Sequence, residues 1–122
     1  MSKEVKRGEI YWVDWSPGRG SEQSGLRPAL IIQNDTGNKY SPTTIVASIS
    51  TAPERPYPFL VRFTDAESGL KQDSAVNLSQ ILTIDQTCLG DKCGELSQTK
   101  MAEVDKAIKT SLALRSLSLI HI

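Results

Sequence analysis

The fold predicted is α+β: a small antiparallel β-barrel or half-barrel packed against one carboxy-terminal helix. Three observations predict it. Between Glu9 and Ile84 the chain offers a succession of short runs rich in aromatic and branched side chains. Clusters of Gly, Pro, Asn and Asp punctuate those runs. From Ser97 onward the apolar spacing changes to that of a helix. Strands first and a helix last is the segregation expected of α+β architecture.

Taken in order, Glu9 to Trp15 places Ile10, Tyr11, Trp12 and Val13 in one strand, and Pro17-Gly18-Arg19-Gly20 breaks it. A loop is predicted from Ser16 to Leu26. Arg27-Pro28-Ala29-Leu30-Ile31-Ile32-Gln33 is a nearly continuous apolar run, as in a strand buried on both faces, and Pro28 suits only its beginning. Asn34 to Asn38 supplies turn residues after it. Thr43 to Thr51 alternates, with Ile45, Ala47, Ile49 and Thr51 on one face and Val46, Ser48 and Ser50 on the other. The odd-numbered face is the apolar one, so Ser48 and Ser50 are predicted to point away from the main core, where their hydroxyls could donate to a bound anion, although hydroxyls on an exposed strand face are commonplace. Further strands are predicted at Phe59 to Phe63 and Ala75 to Ile84, after a connection marked by Pro53, Pro56 and Pro58. In the helix, Met101, Val104, Ile108 and Leu112 share one face and Ser97 is the expected N-cap.

The 122 residues fit a single domain, 1–122, able to bury roughly two thirds of its unfolded surface. Hydrophobic residues at 39% and charged residues at 23% exclude a disordered chain or a collagen-like one. Fourteen basic side chains balance fourteen acidic ones, so an anion site has to be local, and the salt dependence of any nucleic-acid binding is expected to be modest. Cys88 and Cys93 are too few for a disulfide framework and lack the second ligand pair of a zinc site. No run approaches the ~20 apolar residues of a membrane span, and Met1 to Arg7 holds no signal-peptide core, so a cytoplasmic protein with reduced thiols and no membrane partner is expected.

The sole histidine, His121, stands next to last in the sequence, which leaves hydroxyls, carboxylates and arginines to carry chemistry. No HExxH, Walker or GxGxxG pattern is present. The densest polar stretch is Gly18-Arg19-Gly20-Ser21-Glu22-Gln23-Ser24-Gly25, followed at once by Arg27. Glycine-rich backbone can approach phosphate oxygens closely; composition alone favours the plainer reading of the same stretch as a solvated hairpin loop. Arg27 begins an apolar strand, where a guanidinium needs an anion or hydrogen-bond acceptor. A ligand phosphate would serve, and so would Glu22 or Asp14.

Several segments resemble the MazF/PemK family of toxin endoribonucleases from bacterial toxin–antitoxin pairs. They are Lys6-Arg7-Gly8-Glu9-Ile10-Tyr11-Trp12-Val13-Asp14, the loop and strand from Gly20 to Asp35, Ser41-Pro42-Thr43-Thr44-Ile45-Val46-Ala47, Asp73 to Gln80 with Thr83-Ile84-Asp85, and the helix around Val104-Asp105 and Ser111 to Leu114. The G-x-E-Q-x-G-x-R-P order entering an apolar strand is the most specific of these. The resemblance implies an SH3-like barrel with a carboxy-terminal helix (CcdB/PemK-like), a homodimer, and cleavage of single-stranded RNA at short motifs with neither metal nor cofactor. It places catalytic roles on Arg27 and on the hydroxyl ending the Ile-Val-Ala strand, here Ser50 with Thr51 as the alternate. Ser stands where close relatives carry Thr. Glu22 is the candidate general base, although a carboxylate beside an arginine is held in a weakly basic state. Ser21, Gln23 and Gln80 are candidates to shape the RNA cleft and Trp15 to stack a base.

Two departures limit that transfer. Some PemK-type members carry an Arg-x-Asp-Gln segment where this chain has Asn77-Leu78-Ser79-Gln80, and a family His position is Ser21 here. The expected partner is a cognate antitoxin with an acidic, partly disordered tail whose carboxylates mimic phosphates. Two other readings stand beside the ribonuclease. One is a gyrase poison of the CcdB type, whose tail ends like Trp-Gly-Ile, whereas this chain ends Leu119-Ile120-His121-Ile122. The other is a non-catalytic small barrel that binds peptide or RNA.

Overall fold

A computed structural model describes residues 4–14 and 25–114. Its elements are β1 (Glu9–Asp14), β2 (Leu26–Ile31), α1 (Asp35–Tyr40), β3 (Thr43–Thr51), β4 (Leu60–Phe63), α2 (Asp65–Ser68), β5 (Ser74–Asp85), β6 (Leu89–Glu95) and α3 (Gln98–Leu112). The strands form one six-stranded sheet in the order β4-β5-β3-β2-β1-β6, with every neighbouring pair antiparallel. The α+β class and the final helix agree with the sequence reading. The barrel does not close, because β4 and β6 are the two ends of the sheet.

Both faces of the middle strands are covered. Ile10, Leu30, Ala47, Ile49, Val76 and Leu78 pack with Met101, Val104 and Ala107 of α3 in the larger apolar cluster. Their alternating neighbours Tyr11, Val13, Ala29, Ile31 and Val46 join Val5 and Leu89 in a second cluster. This explains the unbroken apolar run of β2, since Ala29, Leu30 and Ile31 are all fully buried. Pro28 is tolerated as the third residue of that strand because the ladder to β3 begins only at Ala29.

Helix α3 starts where Ser97 Oγ accepts from Lys100 N at 3.2 Å and ends at Ala113 in the left-handed region, φ 57°. Arg7 ties the beginning of the chain to it, donating from Nε to Ile32 O at 2.8 Å and pairing with Asp105 at 2.6 Å.

Three elements differ from the sequence reading. Asn34 to Asn38 is no simple turn: Asn34 Oδ1 accepts from Gly37 N at 2.7 Å and caps the short α1. Asn38 on α1 is buried, so its position in the fold outweighs its turn preference. Strand β6, with two glycines and three charged residues in seven, has little intrinsic β preference. It forms because β1 offers an unpaired edge there, and Gly94 fits because a Cβ would collide with Ser68 O. The capping box of Thr64 and Glu67 creates α2, with Gly69 at φ 86° ending it.

Candidate active site

The centre of the sheet forms one wall of an open cleft of about 420 Å³ lined by Arg27, Ser48, Ser79, Gln80, Ile81 and Leu82. Arg27 enters from β2, where it pairs in register with Val13 of β1 and is half-buried. Ser48 pairs with Ala29 on one side and Asn77 on the other. Continuing the β2–β3 register by two residues sets Ser50 opposite Arg27, on the same face as Ser48.

Gln80 arrives by a different route. The β3–β5 ladder runs regularly to Ala47 opposite Ile81, then jumps so that Ser48 faces Asn77. Leu78, Ser79 and Gln80 are therefore extruded in a bulge. Asn77 Oδ1 pins it by accepting from Ser79 N at 2.8 Å and Ser79 Oγ at 2.6 Å, while Leu78 is fully buried and anchors the bulge in the core. Ser79 and Gln80 stand exposed on its outer side.

Of the residues singled out in the sequence, the cleft brings together Arg27, Ser48 and Gln80. Ser50 and Thr51 are exposed at the end of β3 and lie outside the cleft's lining. Ser50 Oγ reaches Thr51 O at 3.5 Å, a marginal contact, and Thr51 Oγ1 accepts from Gln72 Nε2 at 3.4 Å. Trp15, Ser21, Glu22, Gln23 and His121 lie outside the described residues. Ser48, which alternation does direct away from the larger cluster, is nevertheless buried, and the Asn77–Ser79 pin was not foreseen. Alternation carried a signal for Ser48; an Asn two residues before a Ser carries only a weak one.

The strongest ionisation shifts lie on the other side of β1 from Trp12. Burial pushes the Tyr11 phenol up to about 12, reinforced by the hydrogen bond it donates to Glu9 Oε1 at 2.9 Å. The Lys92 ammonium is likewise raised to about 12 by its hydrogen bonds to Glu95 and Glu9. These groups brace β1 against β6.

Residues 6–112, nearly the whole described chain, match the family model for PemK-like, MazF-like toxins of type II toxin–antitoxin systems. The chain belongs to that family. It is 47% identical over 113 residues to the endoribonuclease MazF of Staphylococcus epidermidis, covering 92% of this chain and 94% of the relative. It is 46% identical over 114 residues to the endoribonuclease MazF of Staphylococcus saprophyticus, covering 93% and 95%. Among solved structures, an endoribonuclease from a mycobacterial species in complex with its cognate antitoxin superposes with a TM-score of 0.78 at 26% identity, covering 92% of this chain and 98% of that one. The cleft thus sits on a MazF-type fold, with Arg27 at the head of β2.

Proposed function

We propose that this MazF-type toxin is a sequence-specific endoribonuclease that cuts single-stranded RNA, messenger RNA included, without a metal ion. A ribose 2′-OH attacks the adjacent phosphorus, the P–O5′ bond breaks, and the products are a 2′,3′-cyclic phosphate (or the 3′-phosphate formed by its hydrolysis) and a 5′-OH. The 2′-OH proton passes to a base, for which Glu22 is the candidate, and a proton is returned to the departing 5′ oxygen. Arg27 holds the phosphate by charge-assisted hydrogen bonds that strengthen as negative charge develops. Ser50, or Thr51 in its place, adds a hydroxyl donor to the same oxygens. Gln80, Gln23 and Ser21 shape the cleft around the neighbouring nucleotides, and Trp15 stacks on a base.

One observation carries this reading: Arg27, near the start of β2, lines the same cleft as Gln80 of β5. The relatives named endoribonuclease MazF, alike over nearly their full length, support it further. The protein acts as a homodimer in the cytoplasm, and a cognate antitoxin silences it by laying an acidic, partly disordered tail where RNA would bind. No helix among the described residues is long and apolar enough to cross a membrane.

The test is incubation of the purified protein with a long single-stranded RNA in EDTA, with the product ends mapped. Cleavage at a recurring short motif with 5′-OH ends, slowed by about two to three orders of magnitude in Arg27→Ala, is the expected result. Intact RNA beside tight binding of an acidic peptide would replace the enzyme with a binding module.

A further inference from the structure

The larger polar side chains of the core each have their partners. Asn38, Thr44, Ser48, Ser68 and Ser74 are the buried polar residues among those described. Thr44 Oγ1 donates to Asn38 Oδ1 at 2.7 Å, Ser68 Oγ to Thr64 O at 3.2 Å, and Ser74 Oγ to Gln72 O at 3.1 Å. Ser48 is the exception. It is 6% exposed, yet among the described residues its Oγ has no hydrogen-bond partner.

A buried hydroxyl without a partner costs stability, and alanine would fill the same strand position without that cost. The position of Ser48 supplies a reason for the hydroxyl. It borders the cleft that Arg27 lines, and the register puts it on the same face of the sheet as Arg27. The bulge from Leu78 to Gln80 begins directly opposite it, and Ser79 and Gln80 of that bulge line the same cleft as Ser48.

We propose that Ser48 is a substrate-binding residue of the ribonuclease, its hydroxyl donating to a non-bridging oxygen of the phosphate that Arg27 holds. The inference rests on the endoribonuclease reading and adds a residue to it. Ser50 is exposed at the strand end and outside the cleft's lining, whereas Ser48 is buried and part of that lining, where a hydrogen bond to an anion is strong. The bound RNA supplies the partner that the Ser48 hydroxyl lacks among the described residues.

Ser48→Ala separates this role from a structural one, because the two move activity and stability differently. On single-stranded RNA without metal, kcat/KM is expected to fall about tenfold to a hundredfold, the loss typical of one hydrogen bond to a charged group. The thermal midpoint is expected to stay level or rise. Binding of the mapped cleavage-site RNA carrying 2′-deoxyribose at the scissile nucleotide, which cannot be cut, is expected to weaken by a similar factor. If Ser48→Ala cuts and binds as the wild type does, or if its activity falls only in step with a lowered thermal midpoint, the assignment is overturned while the ribonuclease stands. If the wild type cuts no RNA, the ribonuclease reading fails and takes Ser48 with it.

Discussion

Arg27 of β2 and Gln80 of β5 line the same cleft although β3 lies between their strands. In a regular sheet each residue of β5 would stay in register with its neighbour on β3. Here the bulge after Asn77 lifts Gln80 out of the ladder and turns it toward the side from which Arg27 enters. The site is therefore set by an irregularity in one strand as much as by the arginine, and its parts can be tested separately.

The arginine comes first. Arg27→Ala is expected to lower kcat for RNA cleavage by about two to three orders of magnitude, the usual loss for a donor aimed at developing charge. Arg27→Lys keeps the charge and loses the planar fork, so it should recover only part of that loss. Rates measured on the mapped RNA motif decide the matter; an Arg27→Ala variant as active as its parent would remove Arg27 from the mechanism.

Ser50 and Thr51 are neighbours on opposite faces of β3, and only Ser50 shares the face of Arg27. Ser50→Ala should therefore slow cleavage about tenfold or more, whereas Thr51→Ala should change it by less than about twofold. Ser50→Thr retains the donor and should stay active. The reverse ranking of the two alanine variants would transfer the role to Thr51.

Stability depends on a polar group far from the cleft. Asn38 Oδ1 accepts from Thr44 Oγ1 at 2.7 Å and from Gln33 Nε2 at 3.0 Å, and its Nδ2 donates to Gln33 O at 3.0 Å. Asn38→Ala leaves the fully buried Thr44 hydroxyl without its acceptor, at a cost of about 1–3 kcal/mol. Urea unfolding should show that loss, with kcat/KM of the folded variant unchanged. An Asn38→Ala variant with the parent's urea midpoint would show the network to be dispensable.

The alkaline limit of stability follows from Tyr11 and Lys92. Both are held protonated up to about 12 in the folded protein, against ordinary values of 10.0 for a tyrosine and 10.5 for a lysine. Between those values and about 12 the unfolded chain binds fewer protons than the folded one, so stability is complete below the window and declines as pH rises through it. Tyr11→Phe removes one of the two contributions and should flatten the fall of the urea midpoint between pH 10 and 12. The contribution of Lys92 remains, reduced by solvent because that side chain is 41% exposed. Identical curves for the two proteins would show that Tyr11 ionisation is uncoupled from folding.

The sequence by itself determined the strands with strong local character and the final helix. Ile10 to Val13, Ala29 to Ile31 and the alternation from Thr43 to Thr51 carry their burial pattern in side-chain type, and Met101 and Val104 carry theirs in helical spacing. The ordered loop and strand around Arg27 also marked the family, because that signal is a matter of residue order alone. Tertiary structure decided what depends on neighbours distant in sequence. Gly90 and Gly94 lie in a strand only because the edge of β1 is there to pair with, and Asn38 is helical because Thr44 and Gln33 bind its carboxamide. Whether Ser48 is exposed or buried, and whether Gln80 stands beside Arg27, turns on a slip of register between β3 and β5. Local propensity has no term for register: it is fixed by the sum of contacts across the sheet, and those exist only once the strands have met.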